Sequence, residues 1–287
     1  TELLQQVDAA CYTAKHLGRN RIHIYREDDS EIARRHGEMQ WIRRIHQALE
    51  LDQFCLYAQA IHPLSQEANA GNKEVHYELL LRMQGDNNQV ISPVTFLPAA
   101  ERYNLMVKID EWVIEHVFYL LRKNPDFVKE IQFVSINLSG KSLTDVNFLA
   151  SIISHLRISG VDASKICFEI TETALISNLN AAIHFISTLR TLGCCFALDD
   201  FGSGLSSFLY LKNLQVEYLK IDGMFIKDIL NDPLDKEMVK SINDIGHVMH
   251  MKTIAEFVES ADIAAQLKAM GVDYAQGFNF GKPQPFE

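Results

Sequence analysis

The sequence predicts an α/β fold, a (β/α)8 barrel with its first strand reversed. Three observations carry that expectation. From Leu51 onward, strand-like and helix-like stretches alternate, the pattern that builds a parallel sheet. Eight strand candidates fall between Leu51 and Glu287, a number and span that close such a barrel. The first two candidates are joined by a polar segment, His62–Glu74, carrying Pro63, Asn69, Gly71 and Asn72. It reads as a loop, and a parallel pair needs a crossover, so these two strands form an antiparallel hairpin.

The elements follow in order. Val7–His16 is helix-like and Gly18 stops it, and Arg21–Tyr25 alternates like a strand. One helix and one strand cannot bury a core, so residues 1–25 read as the remnant of another domain. The charged stretch Arg26–Arg35 runs into a helix that continues over Glu38–Leu49, with Trp41, Ile42, Ile45 and Leu49 on one face. Residues 26–50 are thus a linker helix and 51–287 the barrel. Its strands are predicted at Phe54–Ala60, Val75–Arg82, Phe133–Leu138, Ile166–Ile170, Cys194–Leu198, Tyr218–Ile221, Lys252–Ala255 and Asp273–Gln276. Ile109–Leu121, Leu179–Leu192 and Met238–Met249 carry apolar residues at helical spacing.

Composition narrows the function. Of 287 residues, 47% are apolar and 22% charged, which excludes a disordered chain or a disulfide-stapled miniprotein. No run is long enough to span a membrane, and no leader opens the chain. The net charge is −10, so the chain does not coat a nucleic-acid polymer by charge. An anionic substrate would need its repulsion offset, commonly by a divalent cation. Cys11, Cys55, Cys167, Cys194 and Cys195 are odd in number and lack a CxxC spacing. They read as buried, reduced thiols of a cytoplasmic protein.

The informative feature is where the carboxylates fall. Glu78 lies inside the apolar run Tyr77–Leu81. Glu169 lies in Cys167–Ile170 with Glu172 just after, Asp199 and Asp200 close one strand, Glu256 closes another, and Asn137 sits in Ser135–Leu138. A buried, unpaired carboxylate costs several kcal/mol. One could be a satisfied core group, but five strands each supplying a carboxylate or carboxamide point to a common mouth, the usual catalytic face of a barrel. Oxygen donors without a His or Cys cluster suit Mg²⁺ or Mn²⁺, and the absence of HExxH argues against zinc. The residues alone therefore suggest a barrel hydrolase or lyase using one or two hard divalent ions. Successive strand residues face opposite ways, so Asp199 and Asp200 both reach metal only where the strand gives way to Gly202–Gly204. That glycine segment reads either as a functional loop or as a plain tight turn. Lys220 either pairs with Asp222 in solvent or offsets negative charge and orients water in the pocket. Arg82 suits a phosphate.

These residues together resemble the EAL domain family, bacterial phosphodiesterases acting on cyclic di-GMP. The resemblance runs from about Leu51 to Pro285. It rests on Gln59, Glu78–Arg82, Ser92–Glu101, Asn137–Ser139, Glu169–Glu172, Asp199–Gly204, Lys220–Asp222, Ala255–Glu259 and Gln276–Gly277. The resemblance implies a barrel with an antiparallel first strand and hydrolysis of cyclic di-GMP to linear pGpG. It implies a first Mg²⁺ or Mn²⁺ on Glu78, Asn137, Glu169 and Asp199, and a second on Asp199, Asp200 and Glu256. Lys220 would orient the attacking water and Glu172 would secure the glycine-bearing loop. Gln59, Arg82, Asp222, Glu259 and Gln276 would line the substrate groove or its supporting shell. A homodimer is implied as well. Asp8–Lys15 and Gly18–Arg21 resemble the tail of a GGDEF domain, implying a fragment of a tandem GGDEF–EAL protein with any sensor or membrane segment upstream.

The chain departs from the family pattern at several positions. Leu79 and Phe257 replace an Ala and a Gly, Ala58 and Ala60 a Tyr and a Pro, Met83 a Trp, and Ser203 a Thr. None replaces a ligand. Leu79 faces away from Glu78, while Phe257 either crowds the site or packs behind it. The alternative to a phosphodiesterase is a receptor that binds cyclic di-GMP without cutting it.

Overall fold

The computed structural model describes residues 3–4, 6–7, 10–11, 14, 22–25, 27–64, 75–85, 89–202 and 210–286, with the backbone alone for 27–36 and 213. Gly18–Arg21, most of Asp8–Lys15, the loop from 65 to 74 and the Ser203–Gly204 pair lie outside the described residues.

The chain divides into two compact units, Thr1–Phe54 with Met83–Leu105, and Cys55–Arg82 with Met106–Glu287. In the first, the helix Glu27–Glu50 is continuous through the charged stretch, and Ile45 and Ala48 are buried. The helix Pro93–Arg102 begins with proline, whose missing N–H costs nothing in a first turn. Its Phe96, Ala99 and Ala100 are buried at helical spacing. Phe96 lies 6.4 Å from Trp41 and 5.8 Å from Phe54 between ring centroids. Arg102 reaches Glu38 at 2.8 Å.

The second unit is the barrel. Its strands are β1 (Phe54–Pro63), β2 (Val75–Gln84), β4 (Ile131–Leu138), β5 (Ile166–Thr171), β6 (Cys195–Phe201), β7 (Tyr218–Ile221), β8 (Lys252–Ala255) and β9 (Tyr274–Ala275). From β2 through β9 each neighbour pairs in parallel. β1 runs antiparallel to β9 and also pairs with β2, which closes the sheet. The reversed first strand therefore stands as expected, although it runs on through Pro63. Two short strands had no sequence signal: β3 (Val90–Ile91) on the end of β2, and β10 (Gln284–Pro285) on β1. Two residues are too few to show a period.

Several helices start where a side chain satisfies first-turn N–H groups. Asp145, Thr171, Asp222, Asp232 and Ser260 each accept from the first turn, a contribution of about 1 kcal/mol apiece. Inside, Ile61, Phe133, Cys167, Ala197, Tyr218, Ile254 and Tyr274 form one apolar plug. The thiols differ from expectation. Cys167 and Cys194 are buried, but Cys55 and Cys195 are half-buried and Cys11 is exposed. Among the described residues, no helix is long and apolar enough to cross a membrane.

Candidate functional site

The site is one rung above the plug. Strand side chains share a face every second residue. Two positions beyond His76, Cys167, Ala197, Tyr218, Ile254 and Tyr274 stand Glu78, Glu169, Asp199, Lys220, Glu256 and Gln276. On the reversed β1 the same step runs backward, from Ile61 to Gln59. A single periodicity thus carries polar residues from separate strands to the C-terminal mouth.

Lys220 sits at the centre and is fully buried. Its Nζ lies 2.6 Å from Glu169, 2.8 Å from Glu256, 3.1 Å from Asp199 and 3.4 Å from Glu78. The solvated Lys220–Asp222 alternative is therefore wrong. Asp222 instead accepts from the Met224 N–H and caps the helix Gly223–Ile226. Glu78 is held by hydrogen bonds from Asn137 and Gln276, each at 2.7 Å. Gln276 also donates to Gln59, which donates to the Gly281 carbonyl. Arg82 shares the Glu78 face of β2, rests 5.4 Å from the Tyr57 ring and donates to the Leu81 carbonyl. Glu259 is exposed beyond Glu256.

Asp199 and Asp200 both reach the mouth because β6 breaks its register between Leu198 and Phe201. Asp200 adopts φ 53°, a left-handed conformation that Asp tolerates better than most residues. The strand continues past the pair, so the device is a bulge-like irregularity rather than a strand end. Ligand oxygens of Asp199, Asp200 and Glu256 lie within 4.8 Å of one another, close enough to hold one metal ion.

One ammonium for four carboxylates leaves the cluster strongly acidic. Burial, the Glu78 and Asp199 charges and incomplete compensation by Lys220 push Glu169 well above the usual carboxyl range. Glu256 is raised to about 8, mainly by burial against the opposing pull of Lys220, with Asp199 and Glu78 adding repulsion. Asp200 is raised to about 6 by burial and by Asp199 and Asp222. Burial also raises Glu78, but Lys220, Gln276 and Asn137 outweigh it and hold its carboxyl low. Glu169 Oε1, Asp199 Oδ1 and Gln276 Oε1 are buried without a hydrogen-bond partner. Asp199 Oδ1 is within ion-pair range of Lys220 but off hydrogen-bond alignment. Orphaned hard oxygens around a lone ammonium fit a divalent, oxygen-seeking cation.

Glu172 is buried beside this cluster. It accepts from the Gly202 N–H at 3.2 Å and from the Tyr210 hydroxyl at 2.6 Å. Tyr210 is a partner the sequence did not reveal, since a tyrosine among apolar neighbours reads as core. Leu79 is buried on the outer face of β2, away from Glu78. Phe257 does not enter the acidic cluster's hydrogen bonds: its ring lies against Gly223 with the Lys227 ammonium 4.7 Å from its centroid.

The EAL domain profile matches residues 42–283. The chain is 42% identical over 284 residues to the cyclic di-GMP phosphodiesterase PdeB of Shewanella oneidensis, covering 99% of this chain and 33% of that protein. It is 38% identical over 244 residues to the cyclic di-GMP phosphodiesterase PdeF of Escherichia coli, covering 85% and 32%. The PaMucR phosphodiesterase, solved as a c-di-GMP complex, superposes with a TM-score of 0.78 at 31% identity, covering 86% of this chain and 98% of that one. The chain spans about a third of the length of these curated relatives.

Proposed function

The chain belongs to the EAL domain family, and on that premise we propose that it hydrolyses one phosphodiester bond of cyclic di-GMP to linear pGpG with Mg²⁺ or Mn²⁺. The observation that carries the reading is the buried Lys220 ringed by Glu78, Glu169, Asp199 and Glu256, with Asp200 beside them. Such a cluster is costly in a binding module and useful where negative charge must be handled.

Glu78, Asn137, Glu169 and Asp199 would hold one ion, and Asp199, Asp200 and Glu256 the other. When bound, the ions supply Lewis acidity and a water acidified toward neutral pH. The protein does the rest. Lys220 orients the attacking water and offsets charge on the phosphoryl oxygens. Arg82 offers a planar fork to a phosphate. Gln59 and Gln276 fix Glu78 and the floor of the groove, and Asp222 and Glu259 flank it. Glu172 holds the segment after the paired aspartates by gripping Gly202. Water's oxygen forms the new bond to phosphorus, the ester P–O bond breaks, and the departing alkoxide takes up a proton. A homodimer, a cytoplasmic setting and GGDEF or sensor domains on the same polypeptide belong to the same reading and rest on family resemblance.

The test is turnover of cyclic di-GMP by the purified chain with Mg²⁺ or Mn²⁺, followed by separation of pGpG. Glu78→Ala and Lys220→Ala should fold yet lose cleavage, by at least 100-fold for Lys220. A wild-type protein that binds the dinucleotide and leaves it intact across several divalent ions would instead be a receptor.

A further inference from the structure

We propose that Asp110 is a positioning residue for the metal centre, acting through the backbone that carries Asn137. The inference rests on the metal-dependent reading above. Asp110 lies on the helix Met106–Lys123 and is 5% exposed. It belongs to the inward face with Val113, Ile114 and Val117, all buried. A carboxylate there needs compensation. It comes from the turn after β4: Asp110 Oδ2 accepts from the Ser139 N–H at 3.0 Å and from the Ser142 hydroxyl at 2.6 Å. The two serine hydroxyls are themselves 3.1 Å apart, and Ser139 Oγ accepts from the Ser142 N–H.

Ser139 is two residues beyond Asn137, whose amide holds Glu78 at 2.7 Å. The same turn approaches a second element closely. A Cβ at Gly140 would lie 3.2 Å from the Ala174 Cβ, two residues after Glu172. The segment from 139 to 142 is therefore tied to Asp110 by two hydrogen bonds and passes close to Ala174. Asn137 is exposed at the mouth, so packing does little to orient it. The ladder to β5 carries its backbone through the pairs Asn137↔Glu169 and Leu138↔Ile170, and the buried carboxylate pins the chain from Ser139 onward, where that ladder ends. Groups that orient a ligand in this way typically change metal affinity or activity 10- to 100-fold when lost.

The test compares wild type, Asp110→Asn and Ser142→Ala by Mn²⁺ titration, reading free Mn²⁺ by electron paramagnetic resonance, alongside thermal melting and kinetics. Asp110→Asn should weaken Mn²⁺ binding by about 10-fold or more. Its kcat should recover at saturating Mn²⁺, with KM for cyclic di-GMP unmoved. Ser142→Ala removes one donor, folds readily and should give a smaller shift in the same direction. A lowered melting temperature with Mn²⁺ affinity within twofold of wild type in both variants would make Asp110 merely structural and overturn the inference. If wild type binds Mn²⁺ but cleaves nothing, the phosphodiesterase reading fails while the Asp110 comparison still decides. If wild type does not bind Mn²⁺, both fail.

Discussion

Phe257 and Gly223, just past the ends of the paired strands β7 and β8, show how one residue constrains another. Phe257 holds φ 53°, an outlier for a bulky side chain costing on the order of 1–3 kcal/mol. Its ring fills the space where a Cβ at position 223 would stand. Gly223 is therefore required by close approach. Gly223→Ala must push the ring aside, and overpacking of this kind costs roughly 1–3 kcal/mol. A fall in melting temperature of several degrees is expected for the single variant. Phe257→Gly removes both the ring and the backbone strain, so Gly223→Ala in that background should cost under 1 kcal/mol. Equal losses in both backgrounds, measured by denaturant titration, would show that the ring is not what Gly223 accommodates.

At the scale of elements, a strand's two-residue period decides what the sequence can reveal. Glu78, Glu169, Asp199, Lys220 and Glu256 were legible because a charge inside or just after an apolar strand is an anomaly wherever the strand sits. Their convergence was legible because strand ends meet at one rim. The route by which Asp200 joins Asp199 was not, because a left-handed residue in a continuing strand leaves no periodic trace. Asp110 did carry a signal, an acid on the apolar stripe of its helix, but its serine partners come from a distant turn. Tyr210 carried none. Its hydroxyl and the Gly202 N–H share one buried carboxylate, Glu172, which ties the two flanks of residues 203–209 to the end of β5. Tyr210→Phe deletes that donor and leaves a buried carboxylate oxygen unsatisfied, at a cost of about 1–3 kcal/mol. The loss should be small when Glu172→Ala, which removes both acceptor oxygens, is already present. Double-mutant coupling near zero would mean that the hydroxyl stabilises by some other contact.

At the scale of the whole molecule, the lower half of the barrel carries its own pH dependence. His76 is fully buried, with neither ring nitrogen hydrogen-bonded. Its ring lies 4.0 Å from Phe133, 4.6 Å from Tyr274 and 5.6 Å from Tyr218, centroid to centroid. Burial, aided by the nearby Lys252 charge, lowers its pKa to about 3. Above about pH 6.5 the imidazole is neutral folded or unfolded, and its environment adds no pH slope. As pH falls through that value the unfolded chain takes up a proton that the folded barrel refuses. Stability then declines until about pH 3, where the folded state protonates too, a loss on the order of 5 kcal/mol across the window. The raised carboxyls Asp110 and Asp200 work in the opposite sense, since the folded state binds their protons first, so the difference from a variant is the clean measure. His76→Phe fits the same aromatic cage and removes the titration. Its unfolding free energy should match or exceed wild type by about 1 kcal/mol at pH 7, and the gap should widen steadily from pH 6.5 toward pH 4. Parallel stability curves for the two proteins over that range would mean that His76 meets water or a partner in the native barrel and gains its proton there.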